Sequence, residues 1–240
     1  MKILKILAVD SSSATASVAI VEDDKIISES FTNCGLTHSE TLAPMVASVL
    51  SNSKTDINDI DLFAVCNGPG SFTGLRIGVS IVKALAMVTN KPCVGISPLH
   101  ALAYNFIDEN SFTYSAINSR TNEIYSAVFK SENKVITRLT DDKSVMLDEI
   151  ADDFKNLEGD LRFVGDSAII CYDILKSSDK LKVFPIKDRN KFIKASNVAF
   201  VAREMKNQNN LSDSYNLPIN YLKLSQAERL LKENKLKVGD

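Results

Sequence analysis

The sequence predicts an α/β fold of two tandem lobes, each with the element order β-β-β-α-β-α-β. Two observations predict it: each half opens with three β-prone runs, and in each half helical and β-prone segments then alternate. Three meandering strands followed by such an alternation form a mixed sheet covered by helices. Two copies make a duplicated ribonuclease-H-like architecture, with lobes expected at 1–102 and 103–240. A single Rossmann-type sheet fits less well, because both halves open with a hairpin rather than with βαβ.

The elements of the first half follow from short apolar runs and one clear helix start. Thr37 and Glu40 form a capping-box pattern ahead of apolar residues at helical spacing. Apolar runs bounded by turn residues predict strands, and the turn at 22–25 predicts a hairpin. The predicted strands are 3–9, the two arms of the hairpin at 14–31, 61–65 and 92–96, and the predicted helices are 37–52 and 74–89.

The second half repeats this plan after a connecting helix at 101–110. Its hairpin turns at 119–122, and a Lys-rich terminal helix exposed to solvent is expected from 223 onward. The predicted strands are 113–118, 123–129, 134–140, 162–165 and 182–186, and the predicted helices are 147–157, 167–177 and a final one near 195–207.

Composition points to a globular protein without a marked affinity for polyanions. Hydrophobic residues make up 45% and charged residues 24% of the 240 residues, and the net charge is −2. No global basic excess indicates a nucleic-acid or membrane surface, although a local patch for RNA is compatible with these numbers.

Cys66 and Cys93 lie in apolar runs, which favours buried thiols in a reducing compartment. The N-terminal apolar run stops at Asp10, too early for a signal peptide, and no span of about 18 apolar residues is expected. A cytoplasmic location is predicted.

The stretch CNGPGSFTGLRIG at 66–78 lies between a predicted strand and a predicted helix, where a glycine loop often holds phosphate. It lacks the lysine of the P-loop, because Thr73 and Leu75 occupy the positions five residues after Gly68 and Gly70. It is one residue too long for GxGxxG, and no acid ends the next strand to bind a ribose. A helix dipole alone contributes only about 0.3–1 kcal/mol. The alternative is a tight bend whose glycines permit close backbone packing.

No catalytic or metal-ligating residue is predicted. Asp10 at the end of the first strand could orient Mg²⁺ near a nucleotide, or could simply cap the serine-rich turn that follows. The weak nucleotide candidates are Asp10, Ser12, Gly70 and Gly74. His38 is expected at the surface and His100 in packing, and they are too far apart in sequence to suggest a ligand pair. No GxSxG motif is present.

The two helices of the first half are unusually apolar and predict either a buried position or a partner. The helix at 74–89 has only Arg76 and Lys83 as charges, and a helix apolar all round must be covered all round. A second protein could cover the face turned away from the sheet, or a neighbouring helix could do so. The side chains predicted to contact such a partner are Leu42, Met45, Val46, Val49, Leu75, Val79 and Val82.

Four stretches resemble the TsaB (YeaZ) family, whose members take part in forming threonylcarbamoyladenosine on tRNA. GPGSFTGLRIG is the most specific, and ILAVDSSSATASVAI, NSRTNEIYSAVF and LPINYLKLSQAE support it, from residue 3 to about 228. The resemblance implies a two-lobed fold of the actin, Hsp70 and sugar-kinase type. It also implies a non-catalytic subunit that forms a heterodimer with its paralogue TsaD through first-lobe helices, with the ATPase TsaE joining, and a homodimer when isolated. TsaD would act on adenosine 37 of tRNAs that read codons beginning with A, and tRNA would be reached through the complex.

Some positions depart from these families. The metal-binding HxxxH of TsaD corresponds to Pro98 and Leu102, and only Gly165 remains of the glycine pair on its adenine side. Asn118 stands where TsaB usually has Asp, Lys223 stands where Arg is usual, and PINYLK carries one extra residue. Two other functions stay open at this point: an ATP-binding or peptidase-like enzyme that uses the cleft between the lobes, and a module that binds tRNA directly.

Overall fold

The computed structural model describes residues 3–176, 180–185 and 190–223. Two mixed sheets and their helices form five layers, with helices outside each sheet and between the two sheets. The strands are β1 Lys5–Asp10, β2 Ala16–Glu22, β3 Lys25–Thr32, β4 Leu62–Cys66, β5 Cys93–Ile96, β6 Ser111–Arg120, β7 Glu123–Glu132, β8 Val135–Arg138, β9 Lys143–Met146, β10 Gly159–Val164 and β11 Leu181–Val183. The α-helices are α1 His38–Ser53, α2 Phe72–Thr89, α3 Pro98–Ala103, α4 Ala168–Leu175 and α5 Ala195–Asn207.

The two sheets share one topology, which confirms the duplicated plan. The first has the order β3-β2-β1-β4-β5, and the second has the corresponding order β8-β7-β6-β10-β11. In the first sheet β1 pairs antiparallel with β2 and parallel with β4, and in the second sheet β6 pairs antiparallel with β7 and parallel with β10. In each lobe the hairpin and the crossover strands therefore lie on opposite sides of the first strand.

The outer face of the first sheet is covered by α1 and α2. The capping box predicted for α1 is present: the Glu40 carboxylate accepts from the Thr37 N–H at 3.2 Å. The α2 helix starts at Phe72, two residues before the predicted start, because Ser71 is its cap and accepts from the Gly74 N–H at 3.3 Å. Alternate residues of β1, β2 and β4 point outward into this core, as strand periodicity requires.

Helices α3 and α5 lie between the sheets and join the lobes. The α3 helix packs against β6 and β7, while α5 packs against β1, β2, β4 and β5. One apolar core therefore runs from Ile6 and Leu62 in the first lobe to Phe129 and Val164 in the second. Although it follows the second sheet in sequence, α5 covers the first. The boundary after residue 102 stays a prediction.

The segment predicted as a helix at 147–157 contains only a short 3-10 helix, Ile150–Phe154, so that prediction is wrong in type and length. Strand β9 precedes it and was not predicted. Both β8 and β9 pair with β7, and a break at 139–142 separates them, so the third strand of the second sheet is split. Ile150 and Phe154 are the buried anchors of this segment, and a single turn is enough to place them.

Several boundaries also differ. The connecting helix begins at Pro98, with Ser97 as its cap, and ends in a 3-10 turn at Tyr104–Phe106, earlier than the predicted 101–110. Cys66, Cys93 and Cys171 are buried thiols, whereas Cys34 is exposed. Residues 177 and 186, the predicted ends of one helix and one strand, and the predicted terminal helix beyond Lys223 lie outside the described residues.

One helix, α2, has the length and composition of a membrane span, contrary to the expectation from sequence. Its 18 residues have a mean hydropathy of 1.5, and 33% of them are buried inside the protein. It packs on β4, with Val79 and Val82 in the shared core, which is the position of a helix covering a sheet.

Candidate functional site

A cleft of about 770 Å³ lies between the lobes at the ends of β1 and β6. The first lobe contributes the loop after β1, the start of α1 and the start of α2. The second lobe contributes the end of β6 and the turn before α4. The polar lining consists of Ser12, Ser13, Thr37, His38, Ser39, Ser71, Thr73, Asn118, Ser119, Arg120 and Asp166. Of the four predicted nucleotide candidates, Ser12, Gly70 and Gly74 line this cleft and Asp10 does not.

The glycines of the loop at 66–78 lie against the backbone after β1. A Cβ added to Gly74 would fall under 3.0 Å from the Ser11 carbonyl oxygen, and one added to Gly70 would do the same with the Ser12 carbonyl oxygen. The Ser71 N–H donates to the Ser12 carbonyl at 2.7 Å, which ties the two loops together. The glycines therefore permit a close backbone contact that any side chain would prevent.

The segment at 217–223 runs along this loop and connects the two lobes. The Asn220 N–H donates to the Asn67 carbonyl at 2.8 Å, and the Tyr221 ring stacks on Phe72 with centroids 4.1 Å apart. The Arg76 guanidinium donates to the Tyr221 hydroxyl at 2.9 Å. Lys223 pairs with Glu123 of the second lobe and lowers the pKa of that carboxylate. Lys223 thus occupies the position of the family's usual arginine and still forms an ion pair.

Asp10 is completely buried and turned away from the cleft. Its Oδ1 accepts from the Ser12 N–H at 3.1 Å and from the Ser12 hydroxyl at 2.6 Å, and the Cys66 thiol lies against the same carboxylate. Burial raises the pKa of Asp10, an effect that the bonds from Ser12 oppose. Oδ1 caps the serine loop, while Oδ2 has no hydrogen-bond partner among the described residues and is buried outside the cleft lining, so neither oxygen is presented to Mg²⁺ in the cleft. The residues present do not fit a Mg²⁺–nucleotide site centred on Asp10.

The two histidines lie in different places. His38, expected at the surface, is half-buried at the start of α1, where its Nε2 lies 2.8 Å from the Ser13 carbonyl oxygen and its ring lines the cleft. His100 stacks on Phe129 with centroids 5.3 Å apart, in the packing position expected for it. Burial, assisted by the nearby charge of Arg138, lowers the pKa of His100 to about 4.

The second-lobe wall is organised by Asp166, which the sequence analysis did not single out. Its carboxylate accepts from the Asn118 N–H at 2.7 Å and from the Ser167 hydroxyl at 3.2 Å. The residue is solvent-exposed, yet the surrounding cleft atoms desolvate the carboxylate and raise its pKa. Within the part of the chain that the structure describes, no three His, Cys, Asp or Glu side chains are grouped to hold a metal.

All seven side chains predicted to contact a partner are buried within the chain itself. Their exposed fractions run from 0% for Leu42 and Val82 to 8% for Met45, and all of them except Leu75 belong to the core on the outer face of the first sheet. The opposite sides of the same helices are exposed, including Met87 at 56% and Val88 at 81%. Any partner of α1 and α2 would therefore meet neighbouring residues and not these seven.

The sequence matches a family model over residues 32–230, that of TsaD, tRNA N6-adenosine threonylcarbamoyltransferase. The chain is 27% identical over 225 residues to the tRNA threonylcarbamoyladenosine biosynthesis protein TsaB of Bacillus subtilis strain 168, covering 94% of this chain and 96% of that protein. It is 33% identical over 165 residues to the protein of the same name from Escherichia coli K12, covering 68% and 71%.

Solved structures support the fold independently. An uncharacterized Pseudomonas aeruginosa protein, described as similar to peptidase YEAZ, superposes with a TM-score of 0.77 at 20% identity, covering 92% of this chain and all of that chain. YeaZ from Pseudomonas aeruginosa gives a TM-score of 0.75 at 20% identity, covering 90% and 99%. The two-lobed α/β fold that the resemblance implied is confirmed.

The family model covers most of the chain, and the Bacillus subtilis TsaB protein matches the chain along nearly its whole length. The stretches that suggested the resemblance lie where the structure builds the cleft, the glycine loop and the connecting segment. The chain therefore belongs to the family described by the TsaD model, and within it to the TsaB proteins of tRNA threonylcarbamoyladenosine biosynthesis.

Proposed function

We propose that this chain is a non-catalytic scaffold subunit that binds and activates TsaD in the complex that modifies adenosine 37 of tRNAs reading codons that begin with A. The observation that carries the proposal is an exposed, nearly uncharged surface on the first lobe. This surface, the α1–α2 outer face, consists of Ala43, Ala47, Ser51, Ser80, Ala84, Met87 and Val88.

The composition of the α1–α2 outer face supports burial by a partner. Residues 41–53 contain no charged side chain, and residues 77–89 contain only Lys83, which donates to the Tyr215 carbonyl at 3.2 Å. Exposed helix faces of globular proteins are normally charged or polar. Depletion of charge with exposed methionine and small residues is typical of the centre of an interface. Small side chains also let two helix pairs approach closely.

The geometry of Asp10 supports a role without chemistry of its own. In a lobe of this type the acid at the end of the first strand is the natural metal-orienting group, and here it is buried against Ser12 and Cys66. We further propose that TsaE joins the TsaD-bound assembly and that the isolated chain forms a homodimer through the α1–α2 outer face. On this proposal the protein works in the cytoplasm, where its tRNA substrate is.

Glutamate substitutions on the α1–α2 outer face test the proposal. A carboxylate left unpaired in the interface costs several kcal/mol, so Ala47→Glu and Ala84→Glu should each weaken TsaD binding at least about 100-fold. Binding is measured by titration calorimetry and by co-purification with TsaD. Ala151→Glu, at an exposed alanine of the second lobe, is the matched control and should bind normally. Unchanged affinity of both first-lobe variants would refute the assignment of this surface.

The alternative is an enzyme that binds ATP in the cleft, and the cleft volume of about 770 Å³ is the observation in its favour. Calorimetry of the isolated chain with Mg·ATP distinguishes the two functions. Micromolar binding that is lost in Ser12→Val, a variant altered in the cleft lining, would favour the enzyme. The scaffold proposal predicts no such heat.

A further inference from the structure

A second cavity of about 340 Å³ lies on the inner face of the second sheet, at its β11 edge, away from the cleft between the lobes. We call it the Phe184 pocket, and its polar lining consists of Asn105, Glu109, Arg162, Asn190 and Lys194 around the ring of Phe184. It combines a partly exposed aromatic ring, amide groups and cationic side chains. Neither the family's four motifs nor the proposed scaffold role uses it.

Cations surround the Phe184 ring. The Arg162 guanidinium lies 4.1 Å from the ring centroid, and the Lys182 ammonium lies 5.0 Å from it. Arg162 also pairs with Glu109, so its charge is already balanced within the protein. Lys182 and Lys194 are exposed, and Asp160 is the strand neighbour of Lys182. One exposed lysine, Lys182, thus lies beside the aromatic ring, and a second, Lys194, lines the same cavity.

The local charge contrasts with the chain as a whole. Residues 180–185 and 190–194 contain four lysines and no acid, although the whole chain has a net charge of −2. A concentration of positive charge within a slightly acidic protein attracts a polyanion to one place and leaves the rest of the surface neutral or repulsive.

The chemistry of the pocket fits one nucleotide of single-stranded RNA. Lysines neutralise phosphates, and a base can stack on an aromatic side chain, which is how unpaired nucleotides are held without a fixed sequence. The Asn105 and Asn190 amides carry donors and acceptors of the kind that base edges use. A bilayer surface would satisfy the lysines, but it would use neither the ring nor the amides within a cavity.

We propose that the Phe184 pocket is a contact site for an unpaired nucleotide of the tRNA substrate, with its phosphate paired by Lys182 and Lys194 and its base against Phe184. The proposal rests on the proposed function for the identity of the RNA. It adds to that function a direct RNA contact made by this chain, on a face different from the α1–α2 outer face.

Fluorescence anisotropy of labelled, unmodified tRNA tests it, with the complex of this chain and TsaD titrated at several salt concentrations. In the double variant Lys182→Gln, Lys194→Gln, the slope of log affinity against log salt should become shallower by about 0.7, because the contact with one phosphate is lost. Phe184→Leu should weaken binding by about fivefold or more with the salt slope unchanged. Lys25→Gln with Lys134→Gln removes the same charge elsewhere and should change neither quantity.

The proposal would be overturned if the Lys182, Lys194 variant had the same affinity for tRNA and the same salt slope as the unaltered complex. Loss of binding to phosphatidylglycerol vesicles with tRNA binding intact would overturn it as well, in favour of a membrane contact. If the chain does not bind TsaD, the scaffold function fails on its own, and the same titration of the isolated chain at low salt decides whether the pocket binds RNA.

Discussion

Replacing Gly74 by alanine separates the two interpretations of the glycine loop. If the glycine served only to expose backbone N–H groups to a phosphate, alanine would stabilise α2 by about 1 kcal/mol through helix propensity. In the structure its Cβ would fall under 3.0 Å from the Ser11 carbonyl oxygen and 3.2 Å from a ring carbon of His38. The oxygen belongs to the backbone and cannot rotate away. The sign of the stability change therefore distinguishes the interpretations.

The magnitude follows from two opposing terms. Overpacking in a tightly packed site costs about 1–3 kcal/mol, and the gain in helix propensity returns about 1 kcal/mol. Because the close contact is with a backbone oxygen that cannot move aside, we place the cost at about 2–3 kcal/mol. The expected net loss is then about 1–2 kcal/mol, which lowers Tm by about 2–8 °C in a protein of this size. Circular-dichroism melting measures it, and Ser80→Ala, on the exposed side of the same helix, should stay within about 0.5 kcal/mol of the unaltered protein.

A neighbouring glycine supplies an internal comparison. A Cβ on Gly78 would lie 2.5 Å from the Ser11 side-chain oxygen, so Ser11→Ala should recover part of the stability lost in Gly78→Ala. The same Ser11→Ala change should not rescue Gly74→Ala, because there the clash is with the backbone. A Gly74→Ala protein as stable as the original, or more stable, would refute the close-packing interpretation.

Of three further predictions, two follow from burial and the third from the aromatic contact of Tyr221. Burial lowers the pKa of His100 to about 4 from an ordinary value of 6.5, so the unfolded chain binds the proton more readily than the folded chain does. The free energy of unfolding should therefore fall by up to about 3 kcal/mol as pH drops from 6.5 to 4. Denaturant titrations should find this dependence missing in His100→Phe. Val46→Glu and Val79→Glu each place a carboxylate at a buried position, 6% and 3% exposed, and should unfold the chain. Circular dichroism should then show no cooperative melting transition, whereas a folded variant would mean that the position is not in the core. Tyr221→Leu removes the stack on Phe72 and the hydrogen bond from Arg76, and should lower the free energy of unfolding in urea by about 1–2 kcal/mol. An unchanged free energy of unfolding would mean that the segment at 217–223 adds no stability.

Most of the architecture was predictable because the elements obey local rules. The strands around Asp10, the Thr37–Glu40 start of α1 and the order of the duplicated lobes follow from periodicity and capping, and all of them are present. The split of β8 from β9 was not predictable, because it depends on how both pair with β7 across a break at 139–142. The position of α5 on the first sheet likewise depends on contacts distant in sequence.

The site was less predictable for the same reason. Sequence spacing placed Asp10 beside a serine-rich loop, but only the fold shows its carboxylate turned inward, toward Cys66. Asp166 has no local motif and reaches the cleft because β10 and β6 are neighbours. The apolar spacing of α1 and α2 identified the helices correctly. The same spacing selected the buried side chains as the predicted partner contacts, whereas the exposed sides of the helices carry small uncharged residues such as Ala47 and Ala84.

The central claim is that this chain acts through TsaD and performs no chemistry itself. The direct measurement is the amount of threonylcarbamoyladenosine formed on tRNA in a reconstituted reaction with TsaD and TsaE, with and without this chain. We predict that modification requires the chain, that Ala84→Glu fails to support it, and that the chain without TsaD forms none. Modification at full rate in the absence of the chain, or by the chain alone, would contradict the claim.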